Sequence, residues 1–130
     1  MATYVQAIQT EAGQTKIDMH ARALQTMCHG IAVECGWWRQ PNRNVGEMLC
    51  LIHSEISEAM EGARKGLKDD HLPNRDMLEV ELADAVIRIM DMSGGLGLDI
   101  GGAIAEKLAY NTKRADHKPE NRDKAGGKKF

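Results

Sequence analysis

The sequence predicts an all-α protein with a four-helix antiparallel core, and three observations carry that expectation. Only five of 130 residues are aromatic. The β-branched residues are scattered instead of alternating, as a half-buried strand would require. Apolar residues recur every three or four positions through most of the chain, and eight methionines and many alanines supply side chains that lose little rotamer freedom in a helix. A chain of 130 residues without a break in composition fits one domain.

Residues 1–14 form a weakly patterned N-terminal segment, with at most a short helix. The first long helix is expected from Thr15, because Thr15 and Asp18 have capping-box spacing and Ile17, Ala21, Leu24, Cys28 and Ile31 follow at helical intervals. It ends near Gly36, and residues 36–44 read as a loop that holds Trp37, Trp38 and Pro41. Asn44 with Glu47 repeats the capping spacing and opens a second helix, whose stripe is Met48, Ile52, Ile56, Ala59 and Ala63, with Gly66 as its stop. After a polar connector over 68–73, a third helix carries Leu78, Leu82, Ala85, Ile89 and Met92 and stops at Gly94, Gly95 and Gly97. Asp99 caps a fourth, which carries Ile104 and Leu108 and runs to about Arg114. Residues 117–130 read as a basic flexible tail without apolar period. A core this small is expected to gain from a homo-oligomer that buries more helix surface.

Charge and composition narrow the partners. A net charge of −2 provides no basic field for a nucleic-acid polymer or an anionic bilayer, so a small ligand is expected. No apolar run approaches the ~18 residues of a membrane span, and the N-terminus lacks signal-peptide features, so the expected location is the cytoplasm. Cys28, Cys35 and Cys50 are odd in number and lack CxxC spacing, which suits reduced thiols.

The chemistry lies in acids. Glu55 and Glu58 are three residues apart on the second predicted helix, as are Glu81 and Asp84 on the third. At about 100° per residue that spacing stacks both carboxylates of a pair on one side of the helix. If the two helices are antiparallel neighbours, four carboxylates converge, and a hard divalent cation is the natural counter-ion for oxygen ligands. Asp91 continues the third helix's acidic face. The alternative is a solvated acidic face; against it, the motif occurs twice, and each copy adjoins an apolar stripe. A carboxylate-bridged iron site uses Glu-x-x-His, which the chain lacks, so magnesium or manganese is favoured. His53 reads as a structural or surface histidine.

The segments HSEISEAMEGARKG and EVELADAVIRIMD resemble the ExxE…ExxD signature of the all-alpha nucleoside triphosphate pyrophosphohydrolases, and more narrowly the short MazG-like enzymes of phages and bacteria. The likeness spans roughly residues 15–117. A further element, Lys107-Leu-Ala-Tyr-Asn111 with Arg114, is similar to the family's phosphate-contacting KxxxN segment. The resemblance implies a catalytic domain over 15–116, assembly as a homodimer or homotetramer, and magnesium- or manganese-dependent cleavage between the α and β phosphates. It assigns metal binding to Glu55, Glu58, Glu81 and Asp84, and phosphate binding to Lys107, Asn111 and Arg114; for such a hydrolysis Glu58 or Glu55 is the expected base. Trp37 or Trp38 can stack on a base, with Arg39 beside them, although packing is an equal role for either ring. The reading leans to a purine substrate such as dGTP. A non-catalytic helical module that binds metal or nucleotide is the alternative, and a phosphoribosyl nucleotide or damaged-base triphosphate is a further candidate substrate.

Overall fold

A computed structural model describes residues 1–128; Lys129 and Phe130, the end of the expected tail, lie outside the described residues. The fold is all-α. Its elements are α1 (Tyr4–Ile8), α2 (Glu11–Glu34), α3 (Val45–Lys65), α4 (Met77–Gly95) and α5 (Ile100–Asn111), followed by a 3₁₀ turn (Ala115–His117) and a short α6 (Pro119–Arg122). None of the described helices is long and apolar enough to cross a membrane. The chain divides into two compact units, one from Met1–Ala23 with the residues after Leu98, the other Leu24–Leu98.

In the first unit, Thr3 and Gln6 close a capping box on α1. Gln9 donates through Nε2 to the Ala109 carbonyl of α5 at 3.0 Å. Further on, Asp18 of α2 lies against Gly101, and Arg22 donates to Asp99 at 2.7 Å. Later residues of α2 thus meet earlier residues of α5, so the two run antiparallel. Asp99 accepts from Gly102 N–H at 3.1 Å and caps α5 as its position predicts. The start of α2 differs from expectation. Thr10 accepts from Gly13 N–H at 3.0 Å, so the helix begins at Glu11 and Thr15 lies inside it. A hydroxyl upstream satisfies one free N–H of the first turn, and the Thr15–Asp18 spacing is not used as a cap. The other end also differs: α5 stops at Asn111, short of Arg114.

The second unit is built on an antiparallel hairpin of α3 and α4. Gly62 lies against Met77, Glu55 against Arg88, and Met48 lines the same cavity as Met92, so residue numbers rise on one helix as they fall on the other. Asn44 caps α3, its side chain accepting from Glu47 N–H at 3.1 Å, and Gly66 ends it at φ +61°. Asn44→Ala is expected to cost about 1 kcal/mol, read as a lower urea midpoint with unchanged slope. The connector is more ordered than a polar linker. An isolated antiparallel bridge joins Lys68 and Asp76, and buried Asp69 accepts from the N–H groups of His71 and Leu72 at 2.8 and 2.5 Å.

Contrary to expectation, Gly94 and Gly95 do not stop α4 but lie in its last turn. A Cβ at Gly94 would lie 2.6 Å from the His29 Cβ, and one at Gly95 2.0 Å from the Trp38 ring. Close approach, not chain reversal, explains these glycines; the reversal falls at Gly97, φ +66°.

The predicted stripes are only partly buried. Cys28 is the one buried residue of α2, while Leu24 and Ile31 are exposed. Among the described residues the buried apolar positions are Cys28, Met48, Ala59, Ala85, Met90, Ala105 and Ala109, all small or unbranched. Ile56, Met60, Leu78, Leu82, Val86 and Ile87 face outward from the hairpin.

Candidate functional site

The inward face of α3 is Met48, Glu55, Ala59 and Gly62, at helical spacing, so Glu55 occupies a core position and the expected Ile56 and Ala63 do not. On α4, Glu81 and Ala85 are buried while Leu78 and Leu82, expected inside, are 40% and 44% exposed. The helices have turned their acids toward each other. Glu55, Glu81 and Asp84 each present a carboxylate oxygen within 4.8 Å of the other two. Glu55 and Glu81 are only 6% and 8% exposed, and Asp84 is nearer the rim.

Two of these groups, Glu81 and Asp84, resist ionisation. Burial first, then a hydrogen bond with Glu55 and repulsion from Glu58, Glu55 and Asp84, push Glu81 up to about 7. Asp84 is also raised, by burial and then by Glu55 and Asp69; Arg88 and His71 oppose the rise. Arg88 donates through Nε to Glu55 at 2.5 Å. No motif in the sequence marks Arg88, although its position four residues after Asp84 places it on the same side of α4.

Glu58 stands apart from the three-oxygen cluster and is exposed, yet its charge still bears on Glu81. Asp91, expected to extend the acidic face, serves another group. Its Oδ1 accepts from Trp38 Nε1 at 2.7 Å and lies 2.9 Å from His29 Nδ1, and its Oδ2 lies 3.7 Å from Arg43. One turn of helix separates Arg88 from Asp91, and the two carboxylate systems diverge there because Trp38 and His29 reach only the second. His53 is exposed.

An all-oxygen donor set drawn from two helices suits a hard divalent cation. Glu55, Glu81 and Asp84 have one arginine, Arg88, beside them, and the charge of Glu58 bears on Glu81 as well, so the group carries excess negative charge, and the buried pair gains from a cation what it otherwise gains from a proton on Glu81. Glu55, Glu81 and Asp84 are the residues placed to hold such an ion. No family model, curated protein or solved structure matches this chain.

The tryptophans differ in their surroundings. Trp37 is 68% exposed. Trp38 is engaged on several sides: Arg43 lies 4.8 Å over its ring, His29 meets it edge-on at 5.2 Å, and Gly95 abuts it. The guanidinium of Arg39 lies against Gly36, whose φ is +86°. Lys107, Asn111 and Arg114 belong to the first unit. Lys107 Nζ sits 4.8 Å over the Tyr110 ring. Asn111 has a buried Oδ1 that accepts no hydrogen bond among the described residues. Arg114, beyond the end of α5, holds Asp116 through two bonds of 2.9 and 2.6 Å.

Proposed function

We propose that this chain is a magnesium-dependent nucleoside triphosphate pyrophosphohydrolase of the MazG-like kind, which manganese can also serve. The observation that carries the reading is the convergence of Glu55, Glu81 and Asp84 from two helices, with two of the three buried. Bound there, a divalent ion supplies charge neutralisation for the phosphates and a more acidic water. The chain's own residues supply the rest. Glu55, Glu81 and Asp84 hold and orient, and the buried hairpin fixes their rotamers. Glu58 is exposed one turn from Glu55, which favours it over the arginine-bound Glu55 as the base that takes a proton from water. Water adds to the α phosphorus, and the bridging oxygen departs with pyrophosphate.

Lys107, Asn111 and Arg114 are assigned to the phosphates, and Trp37, the freer of the two rings, to the base, with a lean to dGTP. Exposed Ile56, Met60, Leu78 and Leu82 support assembly as a homodimer or homotetramer, since a second copy would remove them from water. The test is a panel of ribo- and deoxynucleoside triphosphates with magnesium, followed by ³¹P NMR. Monophosphate and pyrophosphate are expected from at least one member. Diphosphate with orthophosphate, or intact nucleotide across the panel, overturns the reading, and intact nucleotide that stays bound favours a regulatory module.

A further inference from the structure

Arg88 is the cation in contact with the buried acids. Its Nε donates to Glu55 Oε1 at 2.5 Å, and its side chain is 41% exposed where that of Glu55 is 8% exposed. The guanidinium thus stands on the solvent side of a buried carboxylate, and one of the two Glu55 oxygens is committed to it. Among the described residues Glu55 is its only ion-pair partner, although its charge also bears on Asp84.

That arrangement limits how many divalent ions the carboxylates can hold. The three clustered oxygens lie within 4.8 Å of one another. Opposite oxygens around one magnesium ion are about 4.2 Å apart, so the cluster matches the coordination shell of a single ion. A pair of ions, held roughly 3.5–4 Å apart, needs further oxygens between and around them. Glu55 Oε1 is taken by Arg88, and Glu58 lies exposed and outside the cluster. Charge leads to the same count. Three ionised carboxylates and one guanidinium leave two net negative charges, which one divalent ion neutralises. Glu58 adds its charge from the water-exposed side, where solvent weakens it.

We infer that Arg88 stands in for a second metal ion, so that the carboxylates of this chain hold one divalent cation. A further ion approaching from water meets the guanidinium before it meets Glu55, and the two positive charges repel. The inference rests on the reading of these carboxylates as a metal site and goes beyond it, because it sets the number of ions and gives Arg88 a task. Arg88 acts through Glu55 and is a positioning residue, with no contact to substrate assigned to it.

Manganese is titrated without nucleotide into the full chain and into Arg88→Gln, Arg88→Met and Arg88→Lys, and bound ions are counted by calorimetry and from the paramagnetic resonance signal of free manganese. One tightly bound ion per chain is expected in the natural protein and in Arg88→Lys, which keeps the charge. Two are expected in the neutral variants, the second held at least about tenfold more tightly than any second ion on the natural chain. It should be lost again when Glu55→Gln is added, which assigns it to this group. A purely structural arginine would lower the melting temperature on removal and leave the count at one. Where circular dichroism shows that a neutral variant fails to fold, the natural chain still decides, since two ions there overturn the inference. One ion in every folded variant, with nucleotide hydrolysed, removes this role of Arg88 and leaves the enzyme reading standing. The expected counts in a chain that hydrolyses no nucleotide keep the role and remove the enzyme reading, and a natural chain that binds no manganese overturns the inference outright.

Discussion

Glu81→Gln is expected to abolish pyrophosphate release and, in the same molecule, to raise the melting temperature of the metal-free protein above neutral pH. The two effects have one cause. Glu81 is buried among Glu55, Glu58 and Asp84, and its carboxyl is raised from 4.5 to about 7. A raised carboxyl contributes stability while protonated, so that contribution is complete below about pH 4.5 and is lost as pH rises through about 7. Glutamine keeps the shape and cannot ionise. The variant should therefore match the natural chain at the acid end and exceed it at pH 8 by roughly 3–5 °C, the shift about 1 kcal/mol produces in a chain of this size. Without a full set of anionic oxygens, turnover should fall on the order of a hundred- to a thousandfold. Metal binding should also displace a proton, so the natural chain's magnesium affinity rises as pH passes through about 7 and the variant's does not follow. Calorimetry in buffers of different ionisation enthalpy measures that proton. A variant that loses stability at pH 8, or retains activity, removes Glu81 from the site.

Asp91→Ala is expected to destabilise the chain by about 3 kcal/mol, because it leaves the partners of a largely buried carboxylate uncompensated. Asp91 receives the indole N–H of Trp38, adjoins His29 Nδ1, and faces Arg43. Trp38 and Arg43 belong to the 35–44 loop and His29 to α2, so one side chain of α4 anchors two other segments. Arg43 also stacks on Trp38, and removal of the carboxylate should loosen both together. Urea unfolding should give a lower midpoint with a similar slope, and Asp91→Asn, which keeps an acceptor, should lose less. Equal stability of all three proteins would mean that the loop is held by ring packing alone.

Much of the fold was legible along the chain. The cap at Asn44, the left-handed stop at Gly66 and the cap at Asp99 are local events, governed by a few adjacent dihedral angles and one side-chain hydrogen bond. Thr15 shows the limit of such reasoning. Its spacing was correct for a cap, but Thr10 lay upstream with an equally good hydroxyl, and the helix took the earlier start. Gly94 and Gly95 have the pattern of helix breakers, while their reason is the approach of His29 and Trp38, far away in sequence.

The sequence by itself determined that the chain is helical, where α3, α4 and α5 are capped or ended, and that two acid pairs occur at one-turn spacing. Only the tertiary structure decided which side of each helix turns inward. Glu55 and Ile56 are neighbours about 100° apart around α3, so both border the same stripe, and periodicity alone favours the isoleucine. The antiparallel packing of α3 on α4 buried Glu55 and Glu81 instead, left Glu58 outside the cluster, and gave Arg88 its partner. A helix carries its angular pattern in its sequence, but its rotation about its axis is fixed by the surface it packs on.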